Sequence, residues 1–352
     1  MPQMGITSIR TESASLNFSK GGSTSIYVDQ AAVNASDNND GYSWSRPKKT
    51  IAGAIAVLQP WMEIWIKSGI YQENVVITEQ NVVIHGIVQA GLDRAEIAPI
   101  SGVPVQCTVG YVELEGLSII STNDNAIELT GPGHKIHDCF IEVDSDGTAQ
   151  CSAILLNDCD KFLVHDCFIE VDSDGTTQCS AILLNDCDKF LVHDCNFSGR
   201  YAEDTIGVRV DGTLNASVDC CVRDNYFHGF GTVATPGQCI NLNNAQRCLV
   251  IRNTFDSSYI GINCEVIANA LHTIVGNQFY ANASVDICDL NPDQQSSGIH
   301  IQNNFYGYTG WYSDPNHDGI ADVAVQCYYN YDYAPLAYPH YQGPSFVPRQ
   351  AF

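Results

Sequence analysis

Residues 137–192 carry one 28-residue segment twice in tandem, HDCFIEVDSDGTAQCSAILLNDCDKFLV followed at once by HDCFIEVDSDGTTQCSAILLNDCDKFLV. The copies differ only at Ala149 versus Thr177, and a third begins at His193-Asp194-Cys195 before diverging. A closed core cannot take a whole extra segment in its middle without losing its packing. A solenoid can, because each unit touches only its neighbours. The chain is therefore expected to be additive along one axis.

Two weaker signatures run beyond the duplication. Asn225-Tyr226-Phe227, Asn253-Thr254-Phe255, Asn277-Gln278-Phe279 and Asn303-Asn304-Phe305 recur at steps of 28, 24 and 26 residues. About half a turn away comes a small residue followed by apolar, variable, apolar. Instances are Ala126-Ile127-Glu128-Leu129, Ala153-Ile154-Leu155-Leu156, Ala181-Ile182-Leu183-Leu184, Gly207-Val208-Arg209-Val210, Cys239-Ile240-Asn241-Leu242 and Gly261-Ile262-Asn263-Cys264. Alternation of period two puts the second and fourth positions inward and the third outward. Coils of roughly 22 to 30 residues holding such strands stack at about 4.8 Å, so nine or ten coils would make a rod of roughly 45 Å.

Upstream the order is Ile26-Tyr27-Val28, an Asn38-Asn39-Asp40-Gly41 turn, a short amphipathic helix expected over Thr50 to Leu58 and ended by Pro60, a strand over Glu63 to Ile66, and a strand over Val75 to Ile77. This order resembles the N-terminal cap of right-handed parallel β-helix proteins of the pectate-lyase-like superfamily. In such a cap the helix plugs the open end, where uncovered strand edges and core would otherwise meet water. The resemblance spans about residues 26 to 305 and implies an all-β fold, a right-handed parallel β-helix. Residues 1–24 read as a polar arm. Residues 306–352, with nine tyrosines between Tyr306 and Tyr341, read as an irregular aromatic C-terminal cap.

Three sets of residues invite chemistry. Asp314, Asn316, Asp318, the Ile320 carbonyl and Asp322 follow the oxygen spacing of a calcium loop, so Ca²⁺ is the cofactor to expect if there is one. The twelfth position is Val325 rather than Glu, which leaves a plain acidic turn as the alternative. Asp144, Asp146, Asp172 and Asp174 are read as turn residues whose stacked carboxylates need either solvent or a bound cation. His137, His165 and His193, with Arg223 in register one coil on, form an outward column, read as a ligand-binding ridge, a pH-sensitive stack, or simply a polar face. Arg209 joins the candidate ligand-binding residues. Leu155 and Leu183 point outward and are expected to be exposed, which suggests a covered surface or a trimer axis.

Net charge is −24, which repels nucleic acid and anionic membrane surfaces and suits cations. No run is apolar enough for membrane insertion. Fifteen cysteines would suggest a disulfide framework, but Cys139/167/195, Cys151/179 and Cys159/187 repeat at 28 residues. One per coil, they are expected to fill identical buried slots. The N-terminal stretch has no apolar core of a signal peptide, and the expected location is extracellular or on a virion surface. The catalytic sets of polygalacturonase-like hydrolases are missing. Asp204, Arg209, Asp211 and Arg223 could mimic a lyase arrangement, but no spacing demands it. A fresh coil insertion shifts everything after it by about 4.8 Å, too much for a catalytic constellation to straddle. The first expectation is a non-catalytic fibre- or spike-like rod with a structural or glycan-binding role. A homotrimer is implied by that resemblance alone. The second is a polysaccharide lyase or hydrolase acting on an acidic polysaccharide.

Overall fold

A computed structural model describes residues 24–87, 94–146, 149–174, 177–200, 204–212, 217–231, 236–265, 271–283, 285–289, 300–302, 304–306, 326–328 and 331–332. Short strands assemble into three long parallel sheets of 12, 11 and 9 strands, here called first, second and third in the order the chain visits them. Each coil leaves one strand in each sheet. Nine coils are complete, from Glu63–Ile66 to Val285–Asp289. Two further strand pairs follow, and the last, Gln326–Tyr328 and Tyr331–Asp332, lies inside the stretch read as an irregular cap.

The tandem copies stack strand on strand without slippage. Phe140 pairs with Phe168, Ile154 with Ile182, and His137 with His165 and then His193. The period-two alternation holds, with Ile127, Leu129, Ile154, Leu156, Val208, Val210, Ile240 and Leu242 all within 1% exposure. The final Asn-x-Phe is shifted by one from the sequence reading. Phe305 lies beside Gln278 and Tyr306 beside Phe279, so Asn304 takes the asparagine slot.

The corner between the first and second sheets is a single residue of left-handed backbone. Gly116, Asp138, Asp166, Asp194, Asp224, Arg252 and Gly276 hold φ between 53° and 68° in seven successive coils. Glycine and aspartate tolerate that region, while Arg252 bears a cost of about 1–2 kcal/mol there. The next residue points into the core. Cys139, Cys167 and Cys195 fill that slot in three coils, and Asn225, Asn253, Asn277 and Asn304 in the following four. Each asparagine amide donates to the carbonyl of Val192, Val222, Val250 or Ile274, and each Oδ1 accepts the backbone N–H one coil back at 2.8–3.0 Å. Beside this ladder runs a stack of rings, Phe197–Phe227–Phe255–Phe279, with centroids 4.6–5.2 Å apart.

The cap helix is shorter than expected, Ile51–Ile55. Thr50 caps it through Gly53, and the Glu73 carboxylate accepts the Ile51 and Ala52 N–H groups at 3.0 and 2.9 Å. With few residues past this capped turn before Pro60, the chain leaves the helix as soon as Ile51 and Ala54 are buried over the first coil.

The thirteen cysteines whose side chains the structure describes are all buried, and none of these is in a disulfide. A thiol reagent is therefore expected to label them only after denaturant is added, and rapid native-state labelling of Cys139, Cys151, Cys159 or their copies would sink the ladder assignment. Asn253→Ala leaves the Asn225 N–H unpaired in the core and takes the amide donor from the Val222 carbonyl. The expected loss is about 2–5 kcal/mol, read as a lowered denaturation midpoint.

Candidate functional site

The outward residues beside the left-handed corner line a groove of about 1000 Å³ along the rod. It runs from Arg94 past seven coils to Arg252, about 30 Å at the usual coil spacing. One wall is the corner carboxylates Asp138, Asp166, Asp194 and Asp224. The other is the outward column of the second sheet, Glu96, Ser118, Phe140, Phe168, Asn196, Tyr226 and Thr254, set in register by the strand pairing. Phe140 and Phe168 are half-buried and stack at 5.5 Å, and Tyr226 is 37% exposed. Arg94 donates to the Asp138 carbonyl at one end. Arg252 grips Asp224 with two hydrogen bonds of 2.7 Å at the other.

The histidine column stands behind the acidic wall. His137, His165 and His193 stack nearly parallel at 4.9 and 5.1 Å, and each Nδ1 meets the Oδ2 of the following aspartate at 2.6–2.7 Å. Arg223 continues the column as expected and pairs with Asp224 at 2.6 Å. The first histidine differs from its copies. Its Nε2 lies 2.8 Å from Glu113 Oε1, which Lys135 also holds at 2.9 Å. Burial pushes the Glu113 carboxyl up, but the His137 and Lys135 contacts outweigh it and bring it down to about 2. Burial lowers the proton affinity of His137, yet Glu113 and Asp138 raise it overall. His165 has no such carboxylate below it. Burial and the neighbouring His137, Lys135 and His193 hold it below the ordinary imidazole value, against Asp166.

Other candidates stand elsewhere. Arg209 lies on the third sheet, away from the histidines, and spends its guanidinium on Gln178 and on Asp211 at 2.8 Å. Leu155 and Leu183 are not exposed. Leu155 is half-buried and Leu183 is 9% exposed, because each is flanked in register by long side chains, from Glu128 at one end to Arg209 at the other. The trimer axis inferred from them loses that support. Asp144 and Asp172 belong to strands rather than turns, and Arg200 bridges Glu142, Glu170 and Asp172. Of the four aspartates, Asp172 has a side-chain cation beside it, while Asp146 and Asp174 stand exposed. Asp314, Asn316, Asp318, Ile320 and Asp322 lie outside the described residues.

The sequence reading passed over the groove itself. The signal was present, since His-Asp-Cys-Phe recurs at 28 residues. What hid it was the left-handed corner, which turns the aspartate at the corner and the phenylalanine on the second sheet into one surface.

No protein-family model and no curated protein sequence matches the chain. Solved structures do. Pectate lyase Pel9A superposes with a TM-score of 0.55 at 11% identity, covering 80% of each chain. An alginate lyase from Paenibacillus sp. str. FPU-7 superposes with a TM-score of 0.52 at 12% identity, covering 81% of this chain and 97% of that one. The chain has the right-handed parallel β-helix fold of these lyases. At such identities the likeness speaks of fold and leaves the chemistry to the site. No helix among the described residues is long and apolar enough to cross a membrane.

Asp224 tests the electrostatics of the groove's far end. The Arg252 hydrogen bond holds it below the ordinary carboxylate value of 3.8, against partial burial, and Arg223 adds to the effect. A depressed carboxylate contributes stability above its unfolded value and loses it as pH falls through the folded one. Arg252→Gln should cost up to about 1 kcal/mol at neutral pH, and the difference from wild type should vanish in acid. Thermal melts across pH read this directly, and a penalty that persists in acid would mean Arg252 acts through packing instead.

Proposed function

We propose that the chain is a non-catalytic β-helix rod that binds a polysaccharide lengthwise in the groove between Arg94 and Arg252. One observation carries this reading. The two tandem copies contribute equivalent groups, Asp138 with Phe140 and Asp166 with Phe168, to the same groove in the same register. A catalytic centre spread over these coils would be pulled apart by an inserted coil. A binding surface for a repeating polymer is lengthened by it. The exposed edges of these half-buried rings offer apolar surface to sugar C–H groups, and the carboxylates beside them accept hydroxyl hydrogen bonds. With four corner aspartates and a net charge of −24, a neutral glycan suits the groove better than a polyanion.

A second reading is a lyase with a divergent centre acting on an acidic polysaccharide. It is favoured by the two superposed enzymes, whose names record pectate and alginate lyases. It needs a cation to reconcile a polyanion with this surface.

Gel retardation in neutral and uronate polysaccharides separates the two. The binding reading expects retardation by at least one neutral polymer with no release of unsaturated uronate. Phe168→Ala should weaken binding by about 0.5–1.5 kcal/mol, a few-fold to roughly tenfold, without changing the melting curve by more than a few degrees. Steady release of unsaturated product from a uronate polymer would overturn it in favour of the lyase.

A further inference from the structure

Glu115, His137 and Asp138 come together where the histidine stack meets the coil before the duplication. Their ligand atoms all lie within 4.8 Å of one another. The strand register explains why. His137 is paired with Glu115 on one side and with His165 on the other. Its own Asp138 sits at the corner, 2.7 Å from Nδ1. Register and corner together thus bring two carboxylates to one imidazole.

The other nitrogen is engaged as well. His137 Nε2 lies 2.8 Å from Glu113, and Lys135 anchors Glu113 from the far side. A carboxylate on the remote nitrogen of a histidine is the usual support for a metal-ligating imidazole, because it fixes the ring and raises its basicity. Glu115 is supported in the same manner, with Oε2 2.6 Å from His85 Nδ1, and the His85 ring is stacked on Trp65 at 4.0 Å.

The duplication supplies an internal comparison. His165-Asp166 and His193-Asp194 repeat the His–Asp contact at 2.6 Å. The register neighbours below them are His137 and His165, in place of Glu115. Among the described residues, only the first copy meets a second carboxylate ligand and a half-buried carboxylate behind the ring. A generic histidine–aspartate pair would look alike in all three coils.

We propose that Glu115, His137 and Asp138 form a binding site for a first-row divalent cation of the zinc class. One imidazole nitrogen with two carboxylates suits such an ion better than Ca²⁺, which takes six to eight oxygens. Tetrahedral ligands on a zinc-sized ion lie about 3.4 Å apart, so the half-exposed carboxylates close by up to about 1.5 Å on binding. On binding, the Nδ1 proton shared with Asp138 is released to solvent and a metal–nitrogen bond replaces it. Three protein ligands leave a position open, and Asp138 is also a wall residue of the groove, which puts the ion at the groove's edge.

The test uses the full chain freed of metal with chelator and titrated with Co²⁺, then Zn²⁺. Wild type should take up one equivalent of Co²⁺ with visible ligand-field bands and without the near-ultraviolet bands of thiolate coordination, and Zn²⁺ should displace it. Glu115→Gln and Asp138→Asn should each weaken Co²⁺ binding at least tenfold, and Glu113→Gln should weaken it by about 10–100-fold as a supporting group. His193→Gln should leave binding unchanged. Asp138→Asn keeps a residue suited to the left-handed corner, so its loss of binding is not a loss of fold. No ligand-field spectrum in wild type, thiolate bands in its place, or an equal loss in His193→Gln would each overturn the assignment.

Discussion

The left-handed corner between the first and second sheets is the constraint on which the rest of the molecule hangs. A one-residue corner leaves no slack, so every coil must enter and leave it in the same register. The residue before it faces out, the corner residue lies at the surface, and the residue after it points in. That triplet sets three columns at once. His137, His165, His193 and Arg223 form the first, the aspartates the second, and the cysteines and asparagines the third. Sequence pressure at the corner is steric, which is why aspartate and glycine recur there. A groove lined with carboxylates is in part the by-product of a backbone requirement.

The inner slot shows two ways of meeting one demand. The asparagine ladder ties each coil to the next by bonding the backbone N–H groups beside the corner, strand carbonyls and the following asparagine's Oδ1. Such a chain is strong when complete and costly when broken, since every member is buried. The cysteine section avoids the dependence. Cys139, Cys167 and Cys195 each donate the thiol to the carbonyl two residues back, at 3.2–3.3 Å, and need little from the adjacent coil. A coil bearing cysteine in this slot can be copied without finding an asparagine on either side. This accounts for the duplication falling in the cysteine section, with Asn225 closing the seam by accepting the Cys195 N–H.

Much of the fold was legible because its rules are periodic. The tandem copy announced the solenoid, strand alternation announced the core, and the spacing of Cys151 and Cys179 announced buried ladders, now seen with the two sulfurs 3.2 Å apart. What escaped depends on lateral neighbours a coil away. Leu155 and Leu183 were assigned by alternation alone, which says which way a side chain points but not what stands beside it. Arg200 could not be placed against Glu142, because 58 residues separate them in the chain. The site was partly visible. The histidines were singled out, but Glu113 and Glu115 belong to a coil outside the repeat, and only the stacking register brings them to His137.

That last point bears on how duplication creates function. Copying a coil produces three equivalent histidine–aspartate pairs, but a stack has two ends, and equivalence fails there. At the upstream end His137 meets Glu113 and Glu115, and at the downstream end His193 meets Arg223. The interior histidine, His165, sees imidazole on both sides, and burial and its neighbours hold it toward the neutral form. Identical sequences thus acquire different electrostatics from what caps them. In a one-dimensional fold, new chemistry arises at the seams, where a copied coil touches one that was not copied.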